Sequence, residues 1–243
     1  MNTNSKAFLA IVSTPIGNLS DITLRAIETL RNSQIIAAED TRHTVQMLNK
    51  LGIKKKLLSC RAANEEKVST EIISKVFEGI SISYVCDAGT PCISDPGLKL
   101  INTAIEHGIE PLIIPGVSAL TFAITASAMP AAKFAFYGFP PVKTGRRLKF
   151  IEKIKNEDKA VFLYESPHRI SKLLSEINNL IGPDTKIALI REATKIHEEC
   201  LRGTVQDIIY KTKNKLWKGE IVLAIYPNPK NNSNNQMENN YED

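Results

Sequence analysis

Short apolar runs that alternate with helically spaced apolar stripes constrain this chain more than any other feature. Residues 7–13, 34–37, 80–86 and 109–114 are largely apolar and too short for buried helices, which suits strands covered on both faces. Between them, Leu24, Ile27 and Leu30 recur at helical spacing behind Ser20-Asp21, a plausible helix cap. Val68, Ile72, Ile73 and Val76 form a second stripe. Strand–helix–strand–helix order of this kind predicts an α/β fold with a mostly parallel sheet and helices on both faces.

The pattern resumes after a helix over 118–128. Residues 134–139, 161–164, 186–190 and 220–226 read as strands. Ser166 as cap and Pro167 in the first turn start a helix whose buried face is Ile170, Leu173, Leu174, Ile177 and Ile181, and Gly182-Pro183 stops it. Thr204 caps a further helix carrying Val205, Ile208 and Ile209. Met129-Pro130 marks a break, so the expected domains are an N-terminal α/β domain over 1–128 and a C-terminal α/β domain over 129–227. A cleft between two such blocks is where a ligand is expected. The Asn-rich tail, 228–243, is almost without apolar residues and is expected to be disordered.

The chain has 243 residues, 43% of them hydrophobic and 23% charged, enough for two modest cores. Its net charge of +5 permits a polyanionic partner without requiring one. Cys60, Cys86, Cys92 and Cys200 form no C-x-x-C pair. Cys60 and Cys86 end apolar runs and read as buried thiols, which fits a reducing, cytoplasmic setting. His168 and His197 lack partners at ligand spacing, so no metal site is expected. No apolar run is long enough to cross a bilayer, and no membrane partner is expected.

The chemistry-bearing residues concentrate in loops that follow strands, the edge at which open α/β sheets bind ligands. Residues 13–21, Ser-Thr-Pro-Ile-Gly-Asn-Leu-Ser-Asp, combine a tight path with hydrogen-bonding side chains. Glu39, Asp40, Arg42 and His43 form a charged cluster directly behind a buried strand, able to orient a substrate or accept a proton; a solvated helix start is the plainer alternative. Residues 87–97 hold two prolines and two glycines, a rigid loop with exposed backbone that matches neither a dinucleotide fingerprint nor a P-loop. Pro115-Gly116-Val117-Ser118-Ala119 leads small residues into a helix. In the second half, residues 164–169 and 191–199 follow strands and bring Arg169, Lys195 and Glu198. Lys143, Arg146, Arg147, Lys149, Lys153 and Lys155 lie on a helix with Leu148, Ile151 and Ile154 facing inward, either a solvated face or a phosphate-contacting patch.

Ser-Thr-Pro-Ile-Gly-Asn-Leu-x-Asp, Glu-Asp-Thr-Arg-His-Thr, Asp-Ala-Gly-Thr-Pro-x-Ile-Ser-Asp-Pro-Gly and Tyr-Glu-Ser-Pro-His-Arg occur in this order. Together, over roughly Phe8 to Tyr226, they resemble the tetrapyrrole methylase superfamily, and within it the methyltransferases of small-subunit ribosomal RNA. The resemblance implies two domains, a mostly parallel sheet in the first and a mixed sheet in the second, with S-adenosylmethionine in the cleft between them. It implies 2'-O-methylation of a cytidine in the decoding region, acting on 16S rRNA or the assembled small subunit, and a homodimer. Carried onto this sequence, the cofactor contacts are Asp87, Ala88, Gly89, Thr90, Ile93, Ser94, Ser118, Ala119, Leu163, Tyr164, Leu189 and Thr204. Glu39, Arg42, His43 and Arg169 fall on the substrate side. Asp40, Lys195 and Glu198 are the candidate catalytic groups, because a ribose hydroxyl needs help losing its proton. The family's Tyr-His-x-x-Asn after the third strand is replaced by Cys60, Arg61, Ala62, Ala63 and Asn64. Two other classes stay open: a small-molecule methylase acting on a porphyrin or corrin, and an RNA-binding module without chemistry.

Overall fold

The computed structural model describes residues 7–227; residues 1–6 and the tail expected to be disordered, 228–243, lie outside the described residues. The chain divides into two compact units, the first ending at Ser118 and the second beginning at Ala119.

In the first unit, β1 (Leu9–Val12), β2 (Ile35–Ala38), β3 (Lys56–Ser59), β4 (Ile82–Val85) and β5 (Leu112–Ile114) form a sheet in the order β3-β2-β4-β1-β5. Every pairing in it is parallel. The helices are α1 (Leu24–Asn32), α2 (Thr41–Lys50), α3 (Glu65–Phe77) and α4 (Leu98–Glu106). Alternation along each strand sorts the core. Leu9, Ile11, Ile35, Ala37, Ile82 and Tyr84 pack with Val68, Ile72 and Ile73 of α3 and Leu100 of α4. Ala10, Val12, Ile36, Ala38 and Val85 pack with Ala26 and Leu30 of α1 and Leu48 of α2. β1, β2 and β4 are therefore buried at every position, because both their faces are covered. Full burial of one such Leu, Ile or Val side chain stabilises the fold by about 1.5–3 kcal/mol. The cap of α1 is Thr23, whose hydroxyl accepts from the Ala26 amide at 3.1 Å, and not the expected Ser20-Asp21, which lies in a preceding short 3-10 turn.

In the second unit, β6 (Phe134–Phe136), β7 (Ala160–Glu165), β8 (Lys186–Arg191), β9 (Glu199–Thr204) and β10 (Ile221–Tyr226) form a sheet in the order β6-β7-β10-β8-β9. Only β6 and β7 are parallel, so this sheet is mixed. Its helices are α5 (Ala119–Ser127), α6 (Thr144–Lys155), α7 (Ile170–Leu180) and α8 (Val205–Lys211). Ile151 and Ile154 of α6, Leu173, Leu174 and Ile177 of α7 and Ile208 of α8 cover one face, over Leu163, Leu189 and Leu223. Leu120 and Ala123 of α5 cover the other, over Phe162, Ala188, Ile190 and Val222. Because α5 packs on this sheet, it opens the second unit. The boundary lies at Ser118, upstream of the break expected at Met129. Ser166 caps the turn before α7 and not the helix itself: its hydroxyl accepts from the His168 amide, and Arg169 holds the capping position.

Candidate functional site

The first sheet has one place where two neighbouring strands send their chains apart. From β2 the chain runs through α2 to the edge strand β3, while from adjacent β4 it runs through α4, on the other face, to β5. Such a divergence opens a crevice at the carboxyl ends of the strands. Glu39 and Asp40 close β2 there, and Asp87 follows β4. The Asp40 amide donates to Asp87 Oδ1 at 2.9 Å, and the Asp87 amide to Glu39 Oε2 at 3.4 Å. Arg61, behind β3, donates from Nε to the Glu39 carbonyl at 3.3 Å.

The two carboxylates at the end of β2 differ electrostatically. Burial, and then the neighbouring Asp87 carboxylate, push Glu39 above the usual glutamate range. Asp40 caps α2, accepting from the Arg42 amide, and its second oxygen pairs with Arg42 Nη2 at 2.6 Å. The Arg42 guanidinium holds the Asp40 carboxyl well below the usual range. Arg42 and His43 are exposed on the first turn of α2.

Three strand-end loops are tied into one rim. Thr14, after β1, and Gly89, after β4, exchange backbone hydrogen bonds of 2.9 and 3.0 Å. Ser13 Oγ donates to Thr90 Oγ1 at 3.2 Å, and Thr90 Oγ1 donates to the Val117 carbonyl, after β5, at 3.1 Å. Gly89 sits at φ 80°, and a Cβ there would lie 3.2 Å from Ile16 Cγ2, so a side chain at this position would be strained and would press on Ile16. Beyond it, Cys92 and Ser94 take left-handed conformations at φ 73° and 66°. Strain of this kind persists only where the surroundings enforce it, and it clusters at ligand sites. The far end of the loop is anchored by Glu65 at the start of α3. This carboxylate is 5% exposed and accepts from the amides of Gly97, Lys99 and Leu100 at 2.9, 3.0 and 3.3 Å, capping α4 and fixing the far end of the loop. Asp87, Ala88, Gly89, Thr90, Ile93 and Ser94 thus line one braced segment. Ser118, which is buried, closes the first unit and Ala119 opens α5. Sequence reasoning missed Glu65 and Arg61; the acidic pair Glu65-Glu66 at a helix start was the available signal.

In the second unit, β7 and β8 both run antiparallel to β10, so their carboxyl ends share one edge. Lys195 lies in the loop after β8, where its Nζ meets Glu192 Oε1 at 2.9 Å and Glu220 Oε2 at 3.0 Å. Burial pulls its proton affinity down, but the two carboxylates outweigh it and hold Lys195 above the usual lysine range. It is a resident cation and not a free base. Glu198, exposed, accepts from the Thr194 amide at 2.7 Å, and Glu192 and Thr194 are left-handed at φ 52° and 66°. At the end of β7, the fully buried Glu165 side chain accepts from Arg169 Nη2 at 2.6 Å, which holds Arg169 in place. Tyr164 is half-buried, edge-on to Phe136 and Phe139. Leu163 and Leu189 point to the opposite face and are fully buried under α6, α7 and α8. Thr204 pairs with Lys186 at the other end of β8, roughly 17 Å along the strand from the Arg191 end, and its hydroxyl caps α8. Among the described residues, no group of three or more His, Cys, Asp or Glu side chains is placed to hold a metal ion, and no helix is long and apolar enough to cross a membrane.

Comparison with known proteins places this architecture. Residues 9–209 match the family model of tetrapyrrole (corrin/porphyrin) methylases. The ribosomal RNA small subunit methyltransferase I of Thermotoga maritima is 44% identical over 89% of this chain and 97% of its own length. In structure, the chain is similar to a cobalt precorrin-4 methyltransferase, with a TM-score of 0.68, 20% identity and coverage of 92% of this chain and 97% of the other. It is also similar to a uroporphyrin-III C-methyltransferase from Thermus thermophilus complexed with S-adenyl homocysteine, with a TM-score of 0.62, 13% identity and coverage of 90% and 97%. These two likenesses bear on the fold, and the sequence relative bears on the branch. The chain belongs to the tetrapyrrole methylase family and, within it, to the branch of the ribosomal RNA small subunit methyltransferase I proteins.

Proposed function

We propose that this chain transfers the methyl group of S-adenosylmethionine to the 2'-hydroxyl of a cytidine in the decoding region of small-subunit ribosomal RNA. The observation that carries the reading is the braced rim of the first sheet, with a proton-hungry Glu39 at the gap between β2 and β4. The substrate class is supported by the name of the Thermotoga maritima relative.

The donor brings a methyl group already activated on a sulfonium, so the protein has to align the reactants and move one proton. The C–S bond breaks as the C–O bond forms, S-adenosylhomocysteine leaves, and the hydroxyl proton passes to a base. Asp40, locked to Arg42, is too weak a base for this, and Lys195 already carries its proton. Glu39 fits better, because burial beside Asp87 raises its affinity for the proton. The donor lies against Asp87, Ala88, Gly89, Thr90, Ile93 and Ser94. The loop is packed closely on its neighbours: a Cβ at Gly89 would meet Ile16 Cγ2 at 3.2 Å, and one at Gly116, in the adjoining segment after β5, would fall 2.8 Å from Ser13 Cβ. Ser118 belongs to the donor set and Arg42 and His43 to the RNA side; in the second unit, taken by itself, Ala119 and Tyr164 are assigned to the donor and Arg169, Lys195 and Glu198 to the RNA. The chain acts in the cytoplasm as a homodimer. Leu112 and Ile113 of edge strand β5, together with Leu98 and Ile105 of α4, are exposed apolar side chains suited to a second copy.

The test is incubation of the purified chain with methyl-labelled S-adenosylmethionine and, separately, small ribosomal subunits, naked small-subunit rRNA, and a porphyrin or corrin. Nucleoside mass spectrometry of the RNA is expected to find 2'-O-methylcytidine. Label in the tetrapyrrole and none in either RNA would overturn the reading.

A further inference from the structure

The charge of the molecule is not shared evenly. Residues 7–118 carry eleven Lys and Arg against twelve Asp and Glu, whereas residues 119–227 carry eighteen against eleven. The excess has a focus. Between 143 and 155 there are six cations and one acid, Glu152. Arg147 is turned inward: it is 4% exposed, is held by Glu176 through Nε and Nη2 at 2.6 and 2.8 Å, and donates to the carbonyls of Pro141 and Val142 at 3.3 and 2.7 Å. Lys143, Arg146, Lys149 and Lys153 recur at intervals of three or four residues, which puts them along one side of the helix. Lys143, Arg146 and Lys149 are exposed, and none of them forms an ion pair among the described residues.

The loop leading into this helix is built as a fixed, apolar lip. Pro140 and Pro141 stiffen it, and the bonds from Arg147 anchor it. Phe139 and Val142 are thereby held outward, 55% and 74% exposed. The Phe139 ring meets Tyr164 edge-on at 5.7 Å, so the lip adjoins the carboxyl end of β7. Lys172 of α7 reaches the same corner, its Nζ 3.4 Å from Thr144 Oγ1.

We propose that this corner docks a single-stranded segment of small-subunit rRNA, with phosphates along Lys143, Arg146 and Lys149 and a base stacked on Phe139. The inference rests on the rRNA reading above and adds a surface to it. Single-stranded RNA needs two things at once, cations that follow its backbone and a ring for its unpaired bases, and the corner supplies both next to the strand end where Tyr164 and Arg169 lie. The rigid loop lowers the ordering cost of that contact.

The experiment measures binding of a labelled small-subunit rRNA fragment to the full chain by fluorescence anisotropy over a range of salt. The triple variant Lys143→Glu/Arg146→Glu/Lys149→Glu is expected to bind at least about tenfold more weakly. Its plot of log affinity against log salt should be shallower by about 2, at roughly 0.7 per single-strand phosphate contact. Phe139→Ala should weaken binding by about fivefold or more. A matched reversal elsewhere, Lys50→Glu/Lys54→Glu/Lys67→Glu, should leave the slope unchanged. Calorimetry with S-adenosylmethionine checks folding, and wild-type affinity is expected in both triple variants. The surface is refuted if the first triple variant binds RNA like the wild type, if the control loses as much, or if the wild type binds no RNA. RNA binding that the first triple variant loses, with no methylation by the wild type, would refute the activity and leave the surface standing. Methylation with affinity and slope unaltered in that variant would do the reverse.

Discussion

Glu39 and Asp40 are covalent neighbours whose protons are held with opposite strength. Sequence reasoning located the pair and assigned catalysis to Asp40, because adjacent acids behind a strand look alike. What separates them is burial and a long-range contact: burial, and then Asp87 in the loop after β4, raise Glu39, whereas Arg42, two residues away, saturates Asp40. Glu39 has a folded-state pKa raised above its unfolded value, so its contribution to stability is fullest below the unfolded value and is lost as pH rises through the folded one. At neutral pH the ionised side chain therefore costs stability. Glu39→Gln should be slightly more stable than the wild type near pH 7, by well under ~1 kcal/mol because solvent screens a half-exposed group. The gain should vanish toward pH 4. If Glu39 takes the ribose proton, the same variant loses roughly 10²–10⁴-fold in single-turnover methylation. The wild-type rate should rise with pH through a value above the ordinary glutamate range. A Gln variant with wild-type turnover would remove Glu39 from the mechanism.

At the scale of elements, legibility followed burial. Strands β1, β2, β4, β7, β8 and β10 are covered on both faces, and their apolar runs announce them. β3 and β9 show no such run, and the third strand before Cys60 is implied only by the resemblance. Both are edge strands, and Lys56 in one and Arg202 in the other break the apolar run without harm because one side of an edge strand faces water. The placement of α5 was missed for a different reason: an apolar helix announces that it is buried, but not under which sheet. The capping of α4 by Glu65 was illegible too, since it joins residues more than thirty positions apart. Glu65→Ala should cost about 1–3 kcal/mol in urea denaturation, because three amides lose a charged acceptor. On the proposed reading it should also weaken S-adenosylmethionine binding about tenfold or more, since the segment from Gly89 to Gly97 loses its far anchor. Glu65→Gln keeps an acceptor oxygen and should recover much of both losses. Full donor affinity in the Ala variant would mean that the loop holds its shape without the cap.

For the whole molecule, a modest net charge of +5 hides a separation of labour. The braced rim lies in a unit whose charges nearly cancel, and the cationic corner lies in a unit with a large positive excess. Salt acts on these two regions differently. Counterion release makes phosphate binding steeply dependent on ionic strength, while a donor without phosphates, held by loop backbone, has no such term. With about three single-strand phosphate contacts, the Michaelis constant for rRNA should rise roughly tenfold to twentyfold between 50 and 200 mM salt. The dissociation constant for S-adenosylmethionine should move by less than about twofold over the same range. Turnover at saturating RNA should stay nearly constant, because salt weakens docking and leaves the aligned methyl transfer alone. Fragments of rRNA and intact small subunits should show the same slope if the chain itself supplies the contacts. Equal salt dependence for donor and RNA would mean that the two ligands draw on the same charges, and the division between a donor rim and an RNA corner would have to be abandoned.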